Sequence, residues 1–260
     1  SFWRTFQLKS DLEQDNLDIY HGLTHELPYG IDKLNLLKVV TIHDLIFLRY
    51  PDFFPWIDRQ VYFKKFKYSC KNADIIISIC QQTKDDLIHF LNVPAEKIKV
   101  VYQSCSPHFY DLAVGKNEIL KKYFINDEYI LYVGAIEERK NVLNLVRAYK
   151  KTNRHEKLVL IGSGGQYLDK VKNEIKLLKL ESKVIILNSV PFSDLPVLYQ
   201  SAKLFCFPSL FEGFGIPIIE ALFSKTPVLT SKGSCFPESG GPSSMYIDPL
   251  DSNSIASGII

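Results

Sequence analysis

The chain has 260 residues, 46% hydrophobic and 23% charged, with a formal net charge of +2. That length holds one large domain or two modest ones, and the composition supports packed cores over disorder. So small a net charge gives no ground for a nucleic-acid partner. Five dispersed cysteines (Cys70, Cys80, Cys105, Cys206, Cys235), none in a CxxC pair, read as reduced core thiols in a cytosolic protein. No apolar run reaches the length of a membrane span, and the opening "SFWRTFQLKS" is not a signal peptide. With Ser1 first and Met245 the sole methionine, a fragment or processed chain is expected.

In chain order, short β-branched runs at 18–23, 36–45, 73–80 and 97–104 read as strands. Helical patterns at 58–72 and 82–93 separate the later ones, and Thr83 with Asp86 resembles a capping box. The segment 105–127 breaks the alternation with a proline, a glycine and a short helical piece. Strands then follow at 129–135, 157–163, 183–189, 204–209 and 227–231, with helices at 141–152, 165–180, 194–202 and 216–225. Continuous apolar strands alternating with helices predict parallel, doubly wound sheets. We place domains at 1–108 and 109–260, expected to face each other across a ligand cleft.

The stretch "FEGFGIPIIEAL" at 211–222 follows the fourth strand of the second half. Gly213 and Gly215 mark a strand-to-helix turn, and Pro217 suits a helix's first turn. Backbone N–H groups there, beside a positive helix end, can take a phosphate, while Glu212 and Glu220 can hold sugar hydroxyls. The plain alternative is that both glutamates only complement the helix dipole.

This stretch resembles the E-x7-E signature of the retaining glycosyltransferases of the GT-B fold, group 1 (family four). Further matches are "YVGAIEERKNVLNLVRAY" (132–149), "LVLIGSGG" (158–165), "SVPFSDLPVLYQSAKLFCFPSLFEGFG" (189–215), "VVTIHDLIFLRYP" (39–51) and "DIYHGLTHELP" (18–28). The resemblance covers nearly the whole chain. It implies a GT-B-like α/β fold, two Rossmann-like domains with the N-terminal one incomplete. By resemblance, Glu212 contacts the transferred sugar and Glu220 the ribose, while Gly213, Phe214, Gly215 and Ile216 touch sugar and diphosphate. Lys140 matches the lysine of the diphosphate clamp. Many members carry the arginine where this chain has Ala135, so Arg139 is expected to take that part. The plain reading of 137–141 is a charged loop with Asn141 as a helix cap.

His43 ends a strand, where open α/β sheets place ligand groups, and matches the family histidine that reaches the donor sugar. Asp44 is expected to orient it, and His21 to line the acceptor side. Each histidine can instead be a satisfied structural residue. The glycines of "LIGSGG" are spaced G-x-G-G, unlike a dinucleotide loop, which leaves a turn near the nucleotide with Gly164 in contact. By resemblance, Val190 lies by the base.

Lys64, Lys67 and Lys71 fall on a helix face away from Tyr62, Phe66 and Cys70, so 61–71 can touch a membrane or be a core stripe with solvated lysines. The expected function is hexose transfer from a GDP-mannose- or UDP-hexose-type donor to a glycan or lipid-linked acceptor in polysaccharide or lipopolysaccharide biosynthesis. Retention of configuration is expected, with no metal, no cofactor and a cytoplasmic location. The rival readings are a non-catalytic nucleotide-binding or scaffold domain and, with the wrong glycine spacing, a dinucleotide oxidoreductase.

Overall fold

The computed structural model describes residues 2–112 and 114–260. Contacts divide the chain into two compact units, 1–103 and 104–260. The division falls five residues before the sequence-based one. His108 lies in the shifted segment, and its ring meets Phe192 of the second unit edge-on with centroids 6.1 Å apart.

In the first unit, β1 (Ile19–Gly22), β2 (Leu37–Ile42), β3 (Ile75–Ser78) and β4 (Ile98–Val100) form a parallel sheet in the order β1-β2-β3-β4. Val40, Ile42 and Ile76 have no exposed surface, as parallel strands covered on both faces require. The helix Trp56–Asn72 packs Phe66 and Cys70 into this core. Tyr62 of the expected apolar stripe is 40% exposed, though its ring meets Phe47 and Phe54 edge-on.

The expected capping box at Thr83 and Asp86 does not form. The helix Gln81–Leu91 is capped by Cys80, whose Sγ accepts from Thr83 N at 3.3 Å. Asp86 lies in the second helical turn and pairs with Arg49 instead.

In the second unit, β5 (Tyr129–Val133), β6 (Lys157–Ile161), β7 (Val184–Leu187), β8 (Leu204–Phe207), β9 (Val228–Ser231) and β10 (Met245–Ile247) form a wholly parallel sheet. Its order is β7-β6-β5-β8-β9-β10. Counted within the unit, this is the 3-2-1-4-5-6 order of a doubly wound sheet. Strand order reverses between β5 and β8, where Ile130 pairs with Leu204. Ligands bind beyond the carboxyl ends of the strands at such a reversal.

The helix Val142–Thr152 shows why the pattern folds this way. Val142, Leu145, Val146 and Tyr149 recur at helical spacing, and all four are buried. β10 has no counterpart in the sequence reading, and neither do the helices Leu8–Asp15 and Phe236–Gly240. Among the described residues, no helix is long and apolar enough to cross a membrane.

Candidate active site

Two loops meet at the reversal. The loop after β5 carries a 3-10 turn, Glu138–Lys140, and the loop after β8 runs from Pro208 to Gly215. Leu210 N donates to Arg139 O at 2.8 Å, which ties the loops together. Asn141 holds the base of the junction. It occupies the N-cap position with φ 62°, yet its side chain caps nothing. Its Nδ2 donates to the carbonyls of Pro208 and Pro249 at 3.1 and 2.7 Å, so the expected cap is a cross-loop brace.

The junction gathers charge around Glu212, which is 8% exposed. Lys140 Nζ and Ser209 Oγ both donate to its Oε1 at 2.6 Å. Arg139 Nη1 lies 2.8 Å from Oε2 and donates to Phe211 O at 2.7 Å. Lys140 Nζ also stands 5.2 Å from the centroid of the Phe207 ring. Burial alone would raise the Glu212 pKa, but the two cations and the hydrogen bonds outweigh it and hold the carboxyl below the usual range. Cys235 Sγ donates to the carbonyls of Glu212 and Phe214, at 3.3 and 3.1 Å, and so fixes the loop backbone.

Gly215 then turns the chain into the helix Ile216–Phe223 with φ 100°. A Cβ there would adopt a left-handed conformation and lie 3.1 Å from Ile218 Cδ1, which explains the glycine. No side chain caps this helix, and its positive end begins directly after the Gly213–Gly215 turn. Glu220, the fifth helical residue, is half-buried and accepts from Tyr199 Oη at 2.8 Å. Burial raises its pKa, and the tyrosine hydrogen bond opposes the rise.

Because the sheet is parallel, the loops after β6 and β7 open on the same edge. Gly164 is exposed there, and its lack of a side chain has a plain cause: a Cβ would lie 2.2 Å from Ile136 O. Val190 is half-buried in the loop beyond β7.

In the first unit, His43 follows β2. Its Nε2 donates to Leu23 O at 2.8 Å, and Nδ1 lies 3.4 Å from Gln103 Nε2. The partners that orient this ring are therefore Leu23 and Gln103. Asp44, expected in that role, accepts from Ile46 N at 3.0 Å and starts the short helix Ile46–Arg49. His25 sits edge-on to His43 with centroids 5.0 Å apart, and burial lowers its pKa to about 4. His21, within β1, meets Thr41 Oγ1 at 2.8 Å.

The structure thus brings Arg139, Lys140, Glu212 and the turn Gly213–Ile216 together, with Glu220 farther along the same helix. Sequence reasoning missed Ser209, Tyr199 and Cys235, which hold these groups in place, and Gln103, which meets His43 in the first unit. Among the described residues, Glu128, His155 and Glu156 could converge on a metal ion. Lys203 and Arg154 already engage the two carboxylates of that cluster.

Comparison with known proteins matches the chain to a family. The model described as "Glycosyl transferases group 1" matches residues 115–260, and "Glycosyltransferase Family 4" matches 1–107. O-antigen chain mannosyltransferase B of Escherichia coli is 31% identical over 249 residues, 93% of this chain and 64% of that protein. O-antigen chain mannosyltransferase RfbU of Salmonella typhimurium is 32% identical over 223 residues, 85% of this chain and 60% of that one. This chain therefore spans under two thirds of those relatives. In fold, a glycosyltransferase from Rickettsia africae superposes with a TM-score of 0.79 at 20% identity, over 97% of this chain and 68% of that one. Anabaena Alr3699/HepE, solved with UDP and glucose, gives 0.78 at 19%, over 96% and 69%.

Proposed function

The chain belongs to the group 1, family 4 glycosyltransferases of GT-B-like fold, and on that premise we propose that it moves a hexose from a nucleotide sugar to a glycan or lipid-linked acceptor with retention of configuration. The observation that carries the reading is the pair of cations on buried Glu212, beside an uncapped helix N-terminus at the strand-order reversal.

In this proposal the diphosphate of the donor lies against the helix end and draws Arg139 and Lys140 into contact with it. As the glycosidic bond breaks, negative charge grows on the departing nucleoside diphosphate, and those cations stabilise it. They supply the positive charge that a divalent ion provides in metal-dependent transfer. Glu212 faces the transferred sugar, and its pairing keeps it ionised and aimed until the donor arrives. Glu220 takes the ribose hydroxyls, held by Tyr199. Val190 and Gly164 flank the nucleotide. Attack comes from the face the leaving group departs from, which retains the anomeric configuration.

The mannosyltransferase relatives make a mannose donor the first to test, and O-antigen-type polysaccharide synthesis the expected setting. The full-length enzyme, given GDP-mannose and its acceptor in EDTA, should release GDP and form an α-linked product from the α-linked donor. A β-linked product would refute retention, and activity only with added metal would refute the role given to the cations.

A further inference from the structure

Glu212 is a buried carboxylate whose charge rests on Lys140, Arg139 and one hydroxyl. Oε1 accepts from Lys140 Nζ and Ser209 Oγ, each at 2.6 Å, and Oε2 lies 2.8 Å from Arg139 Nη1. The other titratable groups that face it bring no further positive charge. Tyr132 of β5 gives its hydroxyl to Ala135 O at 2.8 Å. Cys235, beyond β9, donates to the Glu212 backbone carbonyl, not to the carboxylate. Glu137 is an acid that engages Arg139 Nη2 at 2.7 Å and so competes for that cation.

Without a ligand, the paired cations hold the Glu212 carboxyl below its usual range, and it is ionised at neutral pH. On the reading proposed above, on which this inference rests, a donor's diphosphate brings negative charge to the same cations. Arg139 Nη1 has only two protons, and they face Phe211 O and Glu212. A cation drawn to the diphosphate is therefore drawn from the carboxylate. Glu212 would then stay buried with Ser209 as its remaining donor, and burial favours the neutral acid.

We propose that donor binding is coupled to uptake of a proton by Glu212. The carboxylate takes the proton from solvent at Oε2 as Arg139 turns to the diphosphate, while Ser209 keeps Oε1. The proton returns to solvent when the nucleoside diphosphate leaves and the cations close on Glu212 again. As an acid, Glu212 offers an O–H donor to a sugar hydroxyl and sets no negative charge beside the diphosphate. Glu220 acts in the opposite sense: ribose hydroxyls donate to its ionised form, so the donor draws protons off it.

Calorimetric titration of the full-length protein with whichever of GDP-mannose and UDP-glucose binds, in buffers of different ionisation enthalpy, counts the protons exchanged. A nucleotide sugar holds its diphosphate as a diester and takes up none itself near neutrality. Wild type should take up more than Glu212→Gln, by a margin that grows from about pH 8 to about pH 6 and approaches about one proton. The ratio of wild-type to variant affinity should rise as pH falls, by at most about tenfold per pH unit. Infrared difference spectra of the wild type should also gain a carboxylic-acid C=O band on donor binding, and this band decides the matter if Glu212→Gln fails to bind. Equal proton exchange in wild type and Glu212→Gln would overturn the proposal, as would absence of the band. Either is the result if Lys140 and Arg139 bridge diphosphate and carboxylate together. Donor binding is read in the same titration, so that failure leaves the proposed function standing, whereas a wild type that binds neither donor overturns both.

Discussion

Lys140→Met removes a charge from the junction and keeps an unbranched apolar stem against Phe207. Glu212 then retains Arg139 at 2.8 Å and Ser209 at 2.6 Å. Breaking a buried ion pair outright costs ~3–5 kcal/mol. With two partners left, the expected loss is ~2 kcal/mol of stability at pH 7. The pH dependence has a definite sign. Glu212 has a folded pKa below its unfolded value, so its stabilisation is complete above the unfolded pKa and lost as pH falls through the folded one. Without Lys140 the folded pKa rises. The gap between variant and wild type is therefore widest near neutrality and closes in acid, where Glu212 protonates and no longer needs the lysine. Urea unfolding of wild type, Lys140→Met, Glu212→Gln and the double variant measures the pair directly. A coupling above ~1 kcal/mol at pH 7 is expected. A coupling within ~0.3 kcal/mol of zero, the range of independent sites, would refute the argument.

Tyr199→Phe should raise the donor KM about 3- to 10-fold, the worth of one hydrogen bond, and more steeply at lower pH because Glu220 then protonates more readily. An unchanged KM at every pH would rule out a positioning role. Glu220→Gln should stabilise the ligand-free protein near neutral pH, since the raised pKa means ionised Glu220 costs stability above its folded pKa, and it should weaken nucleotide binding. Calorimetry of both properties on one preparation checks this. His25 is neutral when folded, so stability is full above pH 6.5 and falls by ~3 kcal/mol as pH drops to about 4. His25→Asn tolerates the φ of 63° and should flatten that acid limb in urea titrations.

The apolar strand runs and amphipathic helices made the two parallel sheets legible, because burial on both faces leaves a continuous signal. Strand ends were overdrawn where pairing stops: β4 ends at Val100, the last residue in register with β3. The run 101–104 looks extended only by composition. β10 escaped because three residues, "MYI", carry no periodicity. Within the site, Arg139, Lys140, Glu212 and Glu220 were legible from local motifs and the resemblance. Their supports were not. Tyr199 meets Glu220 across 21 positions and Gln103 meets His43 across 60. Tertiary packing selects such pairs, and no local spacing encodes them. The Asp86 misreading has the same origin, since a partner 37 positions away outcompeted the local cap.

Titrating the full-length protein with GDP-mannose and UDP-glucose, alongside Lys140→Met and Glu220→Gln, tests the central claim most directly. The account predicts that one of these nucleotide sugars binds the wild type and that each substitution weakens binding at least about tenfold. Absence of binding to either, or equal affinity in wild type and both variants, would contradict it.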